Sequence, residues 1–98
     1  MPDTTVRYFV AYTGIRLPFK FVNEITGGDL NLRNTYFKAC YDMDEKLLSC
    51  QKLVYGEVEF EHQYEYYSNG IIKQAEIREA DVDEVRFLRY SEEGSPLP

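Results

Sequence analysis

The residues Val58-Glu59-Phe60-Glu61-His62-Gln63-Tyr64-Glu65-Tyr66 alternate without a break. Val58, Phe60, His62, Tyr64 and Tyr66 share one face, and Glu59, Glu61, Gln63 and Glu65 share the other. A strict period of two predicts a half-buried strand; on a helix the same glutamates would scatter around the circumference. Nine residues at about 3.3 Å each span roughly 30 Å. That length leaves an aromatic face to be covered, by other elements or by a partner.

Turn signals bound this strand. Tyr55-Gly56 before it reads as a two-residue loop, which sets Leu53 opposite Val58 and Lys52 opposite Glu59. Ser68-Asn69-Gly70 after it predicts a hairpin, since Asn and Gly both accept φ > 0. Upstream, Val6–Tyr12 is apolar on both faces and predicts a central strand. Leu17–Val22 contains Pro18, which cannot donate to a ladder, so it predicts an edge strand or irregular chain. Residues 23–34 are loop-rich, with Asp29 placed to cap one short helical turn through Leu30 and Leu32. Thr35–Tyr41 and Lys46–Tyr55 predict a further hairpin. Ile71–Arg78 predicts a strand, and Glu79–Asp83 a turn leading into a last strand within Glu84–Tyr90. The fold class is therefore mainly β: an antiparallel sheet of about six or seven strands built as sequential hairpins, with at most one short helix.

A weak repeat runs through the second half. Tyr41-Asp42-Met43-Asp44-Glu45-Lys46-Leu47, Tyr66-Tyr67-Ser68-Asn69-Gly70-Ile71-Ile72 and Tyr90-Ser91-Glu92-Glu93-Gly94 align without gaps, their tyrosines 25 and 24 residues apart. Each puts polar turn residues after a Tyr, and Gly70 and Gly94 fall where the first has Glu45. Regular spacing of this kind marks repeated hairpin units. Over about residues 36–94 the pattern resembles the YD repeats of bacterial RHS-type proteins, whose unit reads Tyr-Asp-x-x-Gly-Arg-Leu; Tyr41-Asp42 with Lys46-Leu47 matches best. Those proteins are long shells, and two or three units cannot enclose a cargo. Over the whole chain, the aromatic opening strand, Tyr12-Thr13-Gly14, Leu17-Pro18, Asn34-Thr35-Tyr36-Phe37 and Tyr41-Asp42 are similar to a family of small uncharacterised bacterial proteins. That resemblance implies one small domain and brings no catalytic residue.

Composition sharpens this picture. Ninety-eight residues allow one domain, and nine Tyr and six Phe suit a pleated, half-buried surface. The expected organisation is a β domain over 1–91 and a flexible tail over 92–98, which carries two prolines. The N-terminus has no secretory pattern, and no run approaches the roughly 20 apolar residues of a membrane helix. A cytoplasmic location is expected, with Cys40 and Cys50 as reduced thiols.

Net charge is −6, which argues against general nucleic-acid binding. Its distribution is uneven: residues 1–38 carry +2 and residues 39–98 carry −8. No phosphate loop, nucleophile elbow or zinc motif is present. Asp42-Met43-Asp44-Glu45 lacks the Gly and distant Glu of a calcium loop and reads as a solvated turn. His62 reads as a packed histidine, and no signature supports a Cys–His pair with Cys50. No catalytic residue, metal or cofactor is expected.

The expected function is a non-enzymatic protein–protein interaction module, a regulator or phage-type inhibitor. Its partner-binding residues would be Glu57, Glu59, Glu61 and Glu65 on the acidic face, with Tyr64, Tyr66 and Tyr67. The partner would be a protein, a basic one where the acidic face makes the contact, with no direct nucleic-acid or membrane contact. A homodimer is expected from the uncovered aromatic face. The alternative is a small ligand-binding protein with an aromatic groove.

Overall fold

The computed structural model describes residues 4–13, 17–26 and 34–98, and these form one antiparallel sheet of seven strands. The strands are β1 (Thr5–Thr13), β2 (Lys20–Ile25), β3 (Thr35–Tyr41), β4 (Leu47–Val54), β5 (Glu57–Tyr66), β6 (Ile72–Glu79) and β7 (Arg86–Arg89). Their spatial order is β2-β1-β3-β4-β5-β6-β7. From β3 onward each strand pairs with the next, as sequential hairpins require. The one departure is β2, which lies outside β1, so that β1 sits between β2 and β3. An apolar β1 is suited to an interior position, and the Pro18-led β2 is at an edge, where a missing donor costs no ladder bond. The helical turn expected at Asp29–Leu32 lies outside the described residues.

Register follows the turns. Tyr55 and Gly56 both have positive φ, 51° and 81°, as a two-residue hairpin loop demands. Leu53 faces Val58 as expected, but a bulge between Lys52 and Leu53 moves Lys52 opposite Phe60. The Lys52 ammonium still reaches Glu59 at 3.1 Å, because a long side chain spans a one-residue offset. Asn69-Gly70 does not form the expected two-residue loop. Only Gly70 has positive φ, and Tyr67 N–H donates to Ile71 O (2.8 Å) while Gly70 N–H donates to Tyr67 O (2.9 Å). The Asn69 side chain serves the turn instead, accepting from Ile71 N–H at 3.0 Å.

The same pair of backbone bonds closes all three segments of the weak repeat. Asp42 N–H donates to Lys46 O and Glu45 N–H to Asp42 O; Ser91 N–H donates to Ser95 O and Gly94 N–H to Ser91 O. Glu45, Gly70 and Gly94 are the positive-φ residues, at 62°, 89° and 89°. Adjacent turns are tied together: Tyr67 Oη donates to Tyr90 O (2.7 Å) and Asn69 Nδ2 to Glu92 O (3.0 Å). The third turn carries residues 92–98, expected as a flexible tail, back against β7. Tyr90 bridges Pro96, and Leu97 N–H donates to Arg89 O at 2.8 Å.

The aromatic face is covered by the sheet itself. In strand order β2 and β5 stand four steps apart, roughly 19 Å in a flat sheet. Yet Phe19, one residue before β2, lies 4.9 Å from the His62 ring and 6.1 Å from the Phe60 ring, both on β5. The sheet therefore curls, closing its aromatic face inward. Small residues line that inner face where it bends: Ala39 and Ala75 are fully buried, and Cys50 nearly so. Rings fill the space above them, with Phe9 stacked on Phe21 (5.3 Å) and Tyr12 on Phe19 (4.2 Å). Alternating small and large residues is how a curled sheet packs a tapering interior. The homodimer was expected because this face needed a cover, and the curl supplies that cover from within one chain.

Candidate functional site

The register divides the seven expected partner-binding residues between two faces. Tyr64 is buried on the inner face at 5% exposure. Tyr66 is half-buried and donates to Leu47 O at 2.6 Å, and half-buried Tyr67 is bonded to Tyr90. Tyr64 and Tyr66 thus face away from Glu59, Glu61 and Glu65, as the alternation places them, and do not share a surface with them. The reason is the period of two itself, which sends Tyr64 and Glu65 to opposite sides of β5. Glu57 sits at the exposed Tyr55-Gly56 hairpin end, opposite Val54. Glu59 is held by Lys52.

Glu61 and Glu65 alternate with buried His62 and Tyr64, so they project from the outer face. Cross-strand pairing adds Gln51 and Arg78 beside Glu61, Gln74 beside Glu65, and Glu76 beside Gln63. Gln51 Nε2 donates to Glu61 Oε1 (3.2 Å) and Gln63 Nε2 to Glu61 Oε2 (3.0 Å). Each carboxylate oxygen is thereby held in place while keeping lone pairs free for a further donor. Arg78 turns to Glu76 at 3.1 Å, and among the described residues Glu61 has no ion-pair partner. The result is a shallow amide–carboxylate surface across β4, β5 and β6. Neighbouring glutamines are what the sequence pattern of β5 alone could not supply, since two of the three come from other strands.

The inner face holds a second constellation. Cys50 on β4 pairs with His62 on β5, two residues from Tyr64. His62 Nδ1 and Tyr64 Oη lie 2.7 Å apart, a hydrogen bond the neutral ring makes in either tautomer. Cys50 Sγ lies 3.8 Å from the same hydroxyl, and the backbone of Phe19 also hydrogen-bonds Tyr64. Burial pushes the Cys50 thiol up to about 12, against the lowering effect of its bond to Tyr64. Burial lowers His62 to about 4, helped by Arg86 and opposed by Glu79. Tyr64 is raised, again by burial first. A protonated thiol, a neutral imidazole and a phenol form a polar knot inside the curl. Such a set lacks the thiolate that nucleophilic catalysis uses. Sequence reasoning found no signature for a Cys50–His62 pair; the register sets the two directly opposite each other.

The remaining candidates resolve locally. Asp42 Oδ1 accepts from Asp44 N–H (2.8 Å) and Lys46 N–H (2.9 Å), so that carboxylate is spent on its turn. Among the described residues no group of three or more His, Cys, Asp or Glu is placed to hold a metal ion. Cys40 and Cys50 are both free, and they lie on opposite faces because Cys40 pairs with Ser49 and Cys50 with Ala39. A cleft of about 480 Å³ opens between Leu17 and the C-terminal turn, lined by Ile72, Leu88, Tyr90, Glu93 and Pro96 among others. Among the described residues no helix is long and apolar enough to cross a membrane.

A family model for a family of unknown function, DUF6156, matches residues 1–98. The chain belongs to this family. The match covers the whole chain and gives no support to the YD-repeat resemblance. Neither the curated proteins nor the solved structures contain a match to this member of DUF6156.

Proposed function

We propose that this protein is a non-enzymatic protein–protein interaction module of the cytoplasm, a regulator or phage-type inhibitor, whose outer sheet face engages a basic partner. The observation that carries this reading is the Glu61 carboxylate. It is fixed by two glutamines at the centre of an open sheet face, with Glu65 and Glu76 nearby and, among the described residues, no ion pair of its own. A pre-positioned carboxylate loses little side-chain freedom when a lysine or arginine arrives, and the −8 charge of residues 39–98 steers such a partner. The buried, protonated thiol and neutral imidazole of the inner face support leaving enzymatic chemistry out of the proposal. The three equivalent turns support keeping the YD-repeat likeness as a description of the hairpins, without the shell function.

Affinity capture from the native cell with the wild type and with Glu61→Lys/Glu65→Lys tests the reading. The charge-reversed chain should lose its specific partner by about tenfold or more, and wild-type capture should weaken steeply with added salt. A partner held equally by both chains at all salt concentrations would refute the outer-face reading.

A second reading has its own observation. The cleft beside Leu17, Leu88 and Tyr90 is large enough for a small apolar ligand. A ligand held there raises the melting temperature in a small-molecule screen, with no dependence on Glu61.

A further inference from the structure

We propose that the free edge of β7 is an acceptor for an extended peptide strand of a partner protein, one carrying an apolar pair between two acidic residues. In the free molecule Ser95–Leu97 occupies part of that place. This inference concerns a different surface from the outer-face reading and does not depend on it.

Four observations converge on the edge. First, its backbone is partly unpaired. Tyr90 N–H donates to Lys73 O across the β6 side, so by alternation Phe87 and Arg89 turn their backbone groups outward. Leu97 N–H takes the Arg89 carbonyl; among the described residues the Phe87 N–H and carbonyl and the Arg89 N–H face no neighbouring strand. Second, the edge already receives a strand. The Tyr90–Pro96 bridge is antiparallel, and continuing it sets Leu97 beside Arg89 and Pro98 beside Leu88. Pro96 and Pro98 stand opposite Tyr90 and Leu88, whose backbone faces β6, so the segment gives β7 a single bond, Leu97 N–H to Arg89 O, and a strand that also pairs with Phe87 displaces it.

Third, there is room on both sides. The cleft by Leu17 and Leu88 lies on the inner side, and a second of about 380 Å³ is lined by Phe87, Leu97 and Pro98. Alternate side chains of an added strand point to the two sides. Phe87 (50% exposed) and Leu88 (37%) are the apolar surfaces that would meet them. Fourth, charge selects the occupant. β6 and β7 carry Lys73, Arg78, Arg86 and Arg89 against Glu76 and Glu79, the reverse of the chain's net sign. Arg89 is bonded only to the neutral Gln74. Arg86 is paired with Glu79 at 3.0 Å and keeps further N–H groups for a second carboxylate; an antiparallel strand with an acid opposite Arg89, two apolar residues opposite Leu88 and Phe87, and an acid opposite Arg86 therefore meets a complementary side chain at each position.

The test uses the full chain and two capped octapeptides, one centred on Glu-Val-Val-Glu and one on Lys-Val-Val-Lys with the same flanking threonines. Amide shifts followed by NMR should move at Phe87, Leu88 and Arg89, with Leu97 losing its exchange protection as it is displaced. The acidic peptide should bind about tenfold tighter than the basic one. In an Arg86→Glu/Arg89→Glu variant the preference should invert, and the gain of basic-peptide binding shows that this variant is folded. No shift at millimolar peptide, shifts confined to other strands, or a preference unchanged by the charge swap would each overturn the proposal. Shifts centred on Glu61 with the basic peptide instead would overturn this inference and leave the outer-face reading standing.

Discussion

His62 shows how one side chain's surroundings translate into a solution property. Its ring lies between Phe19 and Phe60, each at 4.9 Å, with Tyr64 at hydrogen-bond distance. Burial lowers its pKa from 6.5 to about 4. The unfolded chain therefore takes up the proton first as pH falls. The stabilising effect is complete above the unfolded value near 6.5 and is lost progressively as pH drops toward 4, to a total on the order of 3 kcal/mol. Urea denaturation at several pH values checks this; the slope of stability against pH over that window should flatten in His62→Gln, whatever its absolute stability. The cysteines make a paired prediction. Cys50 is buried with its thiol pushed up to about 12, whereas Cys40 is half-buried on the outer face. An aromatic disulfide reagent at pH 8 should titrate one thiol in the native protein and both in denaturant, and Cys40→Ser should abolish the native reaction.

Elements obey the turns that join them. Three hairpin turns use one hydrogen-bonding scheme with a left-handed residue at the same place, filled by glycine twice and by Glu45 once. A side chain in that conformation costs about 1 kcal/mol. Glu45→Gly should therefore stabilise the protein by up to about that amount, since its ion pair to Arg7 is long and exposed. Gly70→Ala should cost about 1 kcal/mol for backbone reasons alone, because an added Cβ would meet only the flexible end of Lys46 at 3.5 Å. Chemical denaturation of the two variants side by side settles both signs. The tyrosine spacing predicts three equivalent turns, and the chain pattern separately predicts strand β3 to the residue. Asn69 was misread as a positive-φ position because Asn-Gly serves two turn types, and the choice depends on whether the strands begin pairing at Tyr66 or at Tyr67.

At the scale of the whole molecule, closure of the sheet is the central event, and Phe19 is its fastening. It touches Tyr12 and Phe21 on one side of the curl and Phe60 and His62 on the other. Phe19→Ala should cost about 2 kcal/mol and raise amide exchange around Phe60–Tyr64, while Phe87→Ala on the exposed edge should stay within about 0.5 kcal/mol of wild type. The expectation of a homodimer assumed an open sheet with one uncovered aromatic face. A curled sheet satisfies the same hydrophobic demand without a second copy, and it leaves the outer polar face and the β7 edge as the surfaces open to other molecules.

The chain's alternation of apolar and polar residues determined which segments are strands, which side of each is dry, and where most hairpins turn. These are local matters: neighbours in sequence set side-chain direction and backbone dihedrals. Tertiary structure alone decided that β2 lies outside β1, that Cys50 stands opposite His62, that Gln51 steadies Glu61, and that Phe19 reaches across four strand spacings to β5. Each of these depends on which distant residues share a register and on how far the sheet bends. A pattern of period two records the faces of a strand and holds no information about the curvature that brings those faces together.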